Sequence, residues 1–252
     1  MLSPAYELTF ERMLERVALA VTDQDVPLVP FWPLQGSKYD GELLVIGRSV
    51  NGWVDDWTAQ QLADPPTRRA AIEWLRRDAE PGDGCRMRWV TDLWGARDGY
   101  NTARSAFWRV LRRIVLTDPG VALDADRWSS YIAWTNLYKV SPAAGWNPGA
   151  DLQRAQRGDV TELLKLELAE LAPRRVLATT GGWIGPFLGG LGLTLEARYG
   201  LVEGVAHRDG VAWVVAKHPM GKPGDEYVRL VLDAFADLGA PLDTGSSDLD
   251  GQ

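Results

Sequence analysis

Four apolar stretches, each ending in a polar or glycine-rich turn, constrain the fold of this 252-residue chain more than any other feature. In the first, Leu43 to Ile46 present no polar face and stop at Gly47, which predicts a strand buried on both sides and a sharp turn at its carboxyl end. Similar stretches occur at Ile132 to Leu137, Val176 to Ala178 and Val211 to Ala216. Strands separated by helical patterns predict an α/β fold, a three-layer α/β/α sandwich. In such folds ligands bind at the carboxyl ends of the strands.

The remaining segments complete one domain. The proline-rich segment around Phe31 and Trp32 cannot form a helix or a central strand, so we expect an extended strap anchored by these two rings. We expect a domain over residues 1–240, a disordered tail over residues 241–252, and a hairpin around the R-D-G turn at residues 208–210. Helical periodicity predicts helices from Ser3 to Ala20, Thr67 to Asp78 with Thr67 as its cap, Thr102 to Leu116, Ile184 to Leu188, Leu152 to Leu171 and Tyr227 to Leu238.

Cysteine and histidine usage limits the chemistry of the chain. A single cysteine, Cys85, excludes an intramolecular disulfide and a cysteine-based metal cluster. The two histidines, His207 and His218, show no metal-ligand spacing, so we expect no metal and no redox cofactor. The N-terminus lacks the pattern of a secretory signal, and no apolar run approaches the roughly 20 residues of a membrane span. These features predict a cytoplasmic protein without a membrane partner.

The charge distribution leaves two alternatives open. The net charge of −7 argues against a general nucleic-acid binder. Between Arg68 and Arg113, however, arginines outnumber acidic residues, 11 to six. This excess fits phosphate contacts, and it fits a solvated arginine-rich helix face equally well.

The polar turns after the four strands follow a recognisable order. A glycine opens the first turn at Gly47, an Asn-x-x-Lys-x-x-Pro pattern begins at Asn136, a Pro-x-x-Val-Leu-x-x-x-Gly pattern ends at Gly181, and a His-Pro pair occurs at His218. In this order and placement the chain resembles the uracil-DNA glycosylase superfamily over about residues 42–224. The resemblance implies a central four-stranded parallel sheet between helices, and base excision from DNA at the strand ends.

The resemblance also implies roles for individual residues. His218 would donate a hydrogen bond to the leaving base, and Asn136 would read the edge of the base. Gly47 and Arg48 belong to the turn whose backbone would bind a base carbonyl, with Trp53 as a stacking wall. Each has a structural alternative, because a histidine at a strand end is often structural and an asparagine there often caps a turn.

The resemblance also implies residues that would contact phosphates. Lys139 and Lys222 would hold phosphates. Gly181, in T-T-G-G, fits either a phosphate cradle or tight packing of strand against helix.

The first turn departs from the superfamily at the position that handles water. Where the superfamily usually has an acid or amide, this chain has Ser49, whose hydroxyl is a poor base at neutral pH. Asn51, Asp55 or Asp56 are the candidate substitutes.

Three functions are therefore compatible with the sequence. The first is an N-glycosidase that excises uracil or another damaged base, with DNA as its partner and a nucleobase as its ligand. The second is a non-catalytic nucleobase, nucleotide or nucleic-acid binding protein on the same scaffold, which Ser49 and the acidic charge favour. The third is a hydrolase of small nucleosides.

Overall fold

The computed structural model describes residues 2–50, 56–79, 87–118 and 124–239, so the predicted tail at residues 241–252 lies outside the described residues. Short 3₁₀ turns cover Thr102–Arg104, Ala125–Tyr131 and Gly181–Ile184. The strands in these ranges are β1 (Pro27–Pro30), β2 (Leu34–Gln35), β3 (Leu43–Gly47), β4 (Trp57–Thr58), β5 (Ile132–Asn136), β6 (Val140–Pro142), β7 (Arg175–Ala178), β8 (Glu196–Ala197), β9 (Val202–Arg208) and β10 (Val211–Ala216). The helices are α1 (Pro4–Ala20), α2 (Ala59–Ala63), α3 (Pro65–Ala79), α4 (Arg88–Asp92), α5 (Ala106–Thr117), α6 (Ala150–Leu171), α7 (Gly185–Leu191) and α8 (Gly224–Asp237). None of these helices combines the length and the apolar composition that crossing a bilayer requires.

A mixed sheet forms the centre of the molecule, with the strand order β2-β5-β3-β7-β10-β9-β8. Its middle strands β5, β3, β7 and β10 are parallel, and they are the four strands that the sequence predicts. The expectation of a four-stranded parallel sheet is nevertheless incomplete, because β2 at one edge and β9 with β8 at the other add antiparallel strands. Asp209 and Gly210, with φ of 50° and 81°, turn the chain so tightly that β9 and β10 pair antiparallel.

Helices cover both faces of this sheet. Leu44 and Ile46 of β3 belong to a core shared with α1, α6 and α7, whereas Leu43 and Val45 belong to a second core shared with α5 and α8. Successive side chains of a strand point to opposite faces, and helices cover both faces here, so every residue of β3 is buried. The predicted burial of this strand on both sides is confirmed.

The proline-rich segment forms the predicted extended strap. Its strand β1 pairs in a small antiparallel sheet with the order β4-β1-β6. Phe31 and Trp32 are 3% and 5% exposed. The Trp32 ring lies 4.8 Å from the ring of Tyr6 and 5.1 Å from that of Phe10, both on α1. The two predicted anchors therefore hold the strap against the first helix.

The helices α3 and α5 do not start where the sequence predicts, because their caps lie elsewhere. Asp64, not Thr67, caps α3, because the Thr67 N–H donates to Asp64 Oδ2 at 3.0 Å and two prolines occupy the first turn, where no N–H is needed. The predicted helix from Thr102 to Leu116 is interrupted at Ser105. The hydroxyl oxygen of Ser105 accepts from the Trp108 N–H at 3.4 Å and starts α5 one turn later than expected.

The arginines of α3 have a role that neither alternative for the arginine-rich segment predicts. Arg68 is 4% exposed, which removes it from any phosphate on the surface. Ion pairs join α3 to α1, among them Arg68 to Glu15 at 3.3 Å, Arg69 to Glu11 at 3.0 Å and Arg76 to Glu7 at 3.3 Å. On this helix the positive charges hold two helices together.

Candidate functional site

The turns that leave the parallel strands are joined to one another by backbone hydrogen bonds. The Leu137 N–H, after β5, donates to the Gly47 carbonyl at the end of β3 at 2.8 Å. The Thr179 N–H, after β7, donates to the Ile46 carbonyl at 2.9 Å. Because the strands are parallel, these turns lie together at the carboxyl ends of the strands, as the sequence predicts.

Gly47 allows the side chain of Asn136 to lie directly against β3. A Cβ at Gly47 would be only 2.3 Å from Asn136 Oδ1, so no other residue fits there without displacing the amide. Asn136 is 1% exposed, and among the described residues its Nδ2 has no hydrogen-bond partner. Leaving a buried donor unsatisfied costs about 1–3 kcal/mol. The free donor makes this amide a candidate for binding a ligand.

Arg48 extends from the first turn across the end of β7. Its Nε donates to the Thr180 carbonyl at 3.0 Å, and its guanidinium lies 5.3 Å from the centre of the Trp183 ring. Burial lowers the pKa of Arg48, an effect that Glu203 and Tyr227 oppose. The guanidinium is thus held by a carbonyl and a ring while its charge remains in a partly dry environment.

His218 lies within electrostatic reach of Arg48. Burial, and then the positive charge of Arg48, lower the pKa of His218 to about 4, so the imidazole is neutral at pH 7. Its Nδ1 accepts a hydrogen bond from the Met220 N–H at 3.3 Å. The single proton of the neutral ring is therefore on Nε2, which makes Nε2–H a hydrogen-bond donor.

The hydroxyl of Ser49 connects the first turn with the loop before α6. Its Oγ donates to Asn147 Oδ1 at 3.1 Å. The neighbouring Trp146 is 76% exposed. The predicted site residues Asn51 and Trp53 lie outside the described residues.

Gly181 lies between Arg48 and Glu203. Its φ of 57° favours glycine, and a Cβ there would be 3.6 Å from Arg48 Nη2 and 3.3 Å from Glu203 Oε2. A carboxylate at this point repels a phosphate. The nearest side chains are charged ones of both signs, so these contacts match neither the phosphate cradle nor the tight packing of strand against helix that T-T-G-G suggested.

Lys139 does not have the predicted phosphate-binding role. It is fully buried, and its ammonium contacts Glu167 Oε1 at 2.7 Å, Thr135 Oγ1 at 2.6 Å and the Asn136 carbonyl at 2.8 Å. Glu167 also accepts from the Tyr6 hydroxyl at 2.7 Å. Sequence reasoning missed this because Glu167 approaches from α6, on a face that the helical pattern did not reveal. Lys139 instead holds the backbone of Asn136 in place through its hydrogen bond to the Asn136 carbonyl.

Lys222 remains compatible with a role at the surface of the site. It is exposed, and its backbone N–H donates to the Pro219 carbonyl at 3.0 Å, which closes the turn after His218. Met220, in the same turn, is 71% exposed. The turn after His218 thus carries both an exposed cation and an exposed apolar side chain.

Glu203 and Tyr227 are site residues that sequence reasoning missed. Glu203 is on β9, a strand that the pattern assigned only to a hairpin arm. The Tyr227 hydroxyl donates to the Lys217 carbonyl at 2.7 Å, just before His218. Burial raises the pKa of Tyr227. No local sequence signal distinguishes either residue from an ordinary strand or helix position.

A separate cavity is too small to be a second candidate site for a nucleobase. It has a volume of about 30 Å³ and is lined by residues of the strap and α3, including Trp32 and Trp74. A volume of this size holds a water molecule or two but not a nucleobase. Among the described residues, no group of three or more His, Cys, Asp and Glu side chains is arranged to hold a metal ion.

Comparison with known proteins adds no relative. The chain matches no protein-family model and no curated protein. The geometry of the strand ends is therefore what bears on function.

Proposed function

We propose that this chain is a uracil-DNA glycosylase-like N-glycosidase that excises uracil or another damaged base from DNA. The observation that carries the proposal is the neutral His218, with its proton on Nε2, next to Arg48 at the carboxyl ends of the parallel strands. The buried amide of Asn136 at the same edge supports it.

The chemistry of base excision matches these groups. Breaking the bond between sugar and base gives the sugar positive character and the leaving base negative character. A neutral imidazole stabilises the leaving base by donating a hydrogen bond from Nε2–H to a carbonyl oxygen of the base. The Asn136 amide has a donor and an acceptor for the edge of the same base.

The exposed side chains around the site fit DNA as the partner. A base must leave the duplex before it can enter a pocket, and apolar side chains inserted between base steps fill the space that it vacates. Trp146 and Met220 are exposed apolar side chains near the carboxyl ends of the parallel strands. Trp146 is next to Asn147, which binds Ser49, and Met220 is in the turn after His218. Lys222 has the charge that a phosphate requires.

The test is incubation with oligonucleotides that contain uracil, hypoxanthine or a mismatch, followed by alkali to reveal abasic sites. We expect cleavage of at least one substrate by the wild-type protein and loss of cleavage in His218→Ala. His207→Ala is the matched control, because His207 is exposed on the β9–β10 hairpin, and we expect it to retain full activity. The absence of alkali-labile sites on all substrates, while a known glycosylase cleaves them, would overturn the proposal.

A non-catalytic nucleobase or nucleic-acid binding protein is the second candidate. The observation that favours it is the Ser49 hydroxyl, which is already a donor to Asn147 and stands where a water-activating acid is expected. Salt-sensitive binding of labelled DNA without cleavage would support this candidate. Cleavage of free nucleosides but not of DNA would support a nucleoside hydrolase.

A further inference from the structure

Glu203 is placed at the site by an irregularity in the sheet. In the pairing of β9 with β10, Val215 lies opposite Gly204, but the next residue, Ala216, lies opposite Val202. Glu203 is therefore the extra residue of a β-bulge. Bulges redirect a side chain and are frequent next to active sites.

The bulge directs the carboxylate of Glu203 over the end of the neighbouring strands. Glu203 Oε2 and Arg48 Nη2 lie 3.3 Å and 3.6 Å from the same point, the position of a Cβ at Gly181. That point is also 3.6 Å from the Cα of Lys217, the residue before His218. Because Gly181 has no side chain, the carboxylate and the guanidinium can both come this close to the backbone of residue 181. The side chain of Glu203 is half-buried, so its charge is partly removed from water.

We propose that Glu203 is the catalytic carboxylate of the site. It activates the attacking water, in place of the acid or amide that the superfamily has at the position of Ser49. This inference rests on the proposed function. Glu203 accepts a proton from the attacking water as the water oxygen bonds to C1′ of the sugar. The C1′–N bond breaks, and its electron pair leaves with the base, which accepts a hydrogen bond from His218 Nε2–H. The base then takes a proton from solvent, and Glu203 releases its proton to solvent. The negative charge of Glu203 also balances the positive character of the sugar.

The alternative for Glu203 is a structural one, in which it only orients Arg48. The two roles predict different effects of formate, a small carboxylate, on the cleavage activity of Glu203→Ala. If Glu203 acts on water, formate can enter the space left in Glu203→Ala and accept the proton. If Glu203 only orients Arg48, formate restores nothing, and substrate binding falls together with turnover.

The experiment measures single-turnover cleavage and oligonucleotide affinity separately, on the substrate that the wild-type protein cleaves. We expect Glu203→Gln to lower the cleavage rate by about 100-fold or more, the usual range for a general base, with affinity nearly unchanged. We expect formate to restore part of the activity of Glu203→Ala but not that of His218→Ala. Glu196→Gln is the matched control, since Glu196 is an exposed acid on the adjacent strand β8, and we expect wild-type cleavage from it.

The outcomes separate the two proposals. Wild-type cleavage by Glu203→Gln, or parallel losses of affinity and turnover without rescue by formate, would overturn the role of Glu203 and leave the glycosidase function standing. A wild-type protein that cleaves nothing would overturn both.

Discussion

The side chain of Asn136 packs against the backbone of Gly47 so closely that a Cβ at Gly47 would lie 2.3 Å from Asn136 Oδ1. These residues are 89 positions apart in sequence and face each other in the register of β3 and β5. The contact fixes the orientation of a buried amide, and the two residues therefore work as a unit.

Gly47→Ala should displace this amide. Because the extra methyl group meets Asn136 in a packed strand, we expect a loss of about 1–3 kcal/mol in the free energy of unfolding. We also expect weaker binding of the nucleobase or oligonucleotide ligand. Urea unfolding and ligand titration measure the two effects. Gly182→Ala is the control, because a Cβ there has no neighbour within 4 Å, and equal effects from both variants would contradict the role of the contact.

The stability of the protein should depend on the protonation of His218. Its pKa is about 4 in the folded protein and about 6.5 in the unfolded chain, so the unfolded chain binds the proton more readily between these values. We therefore expect stability to fall as the pH falls from about 6.5 to about 4, and this part of the pH dependence to vanish in His218→Gln. Urea unfolding across this pH range measures it. His207→Gln should keep the dependence, and its loss in that variant would assign the effect to the wrong histidine.

Arg48 should contribute to the low pKa of His218. Removing its charge in Arg48→Met should raise that pKa above about 4, but not to its ordinary value, because burial is the larger cause. NMR titration of the imidazole measures the shift. Arg229→Met is the control, since Arg229 pairs with Asp233 on the exposed side of α8. An unchanged pKa in Arg48→Met would show that the two side chains do not interact.

The ion pair between Lys139 and Glu167 should be essential to stability. Both side chains are fully buried, so Lys139→Met leaves a buried carboxylate without its cation and should cost about 3–5 kcal/mol in urea unfolding. The control is the exposed pair of Lys165 and Glu162, which lie on α6 like Glu167. Lys165→Met should cost no more than about 0.5 kcal/mol. Adding Glu167→Gln to Lys139→Met should restore part of the loss. Similar small losses at the two lysines would contradict this account.

The parts of the molecule that local pattern controls could be predicted from the sequence. Apolar runs without a polar face identified β3, β5, β7 and β10, and the residues that follow them were expected at one edge of the sheet. The proximity of Gly47 and Asn136, and of Arg48 and His218, agrees with that expectation. The edge strands were not predicted as part of the sheet, since β2 and β8 are two residues long and leave no periodic pattern.

The sequence by itself determined the order of the central strands along the chain, their burial, and the polar turns at their ends, because hydrophobic periodicity and turn residues act over a few positions. Only the tertiary structure decided that Lys139 is buried against Glu167 and that Glu203 is turned toward Gly181. Both depend on how separate elements pack: Glu167 of α6 meets the turn after β5, and the bulge appears only when β9 pairs with β10. The physical reason is that burial and pairing register are properties of two surfaces together, and neither segment specifies them separately.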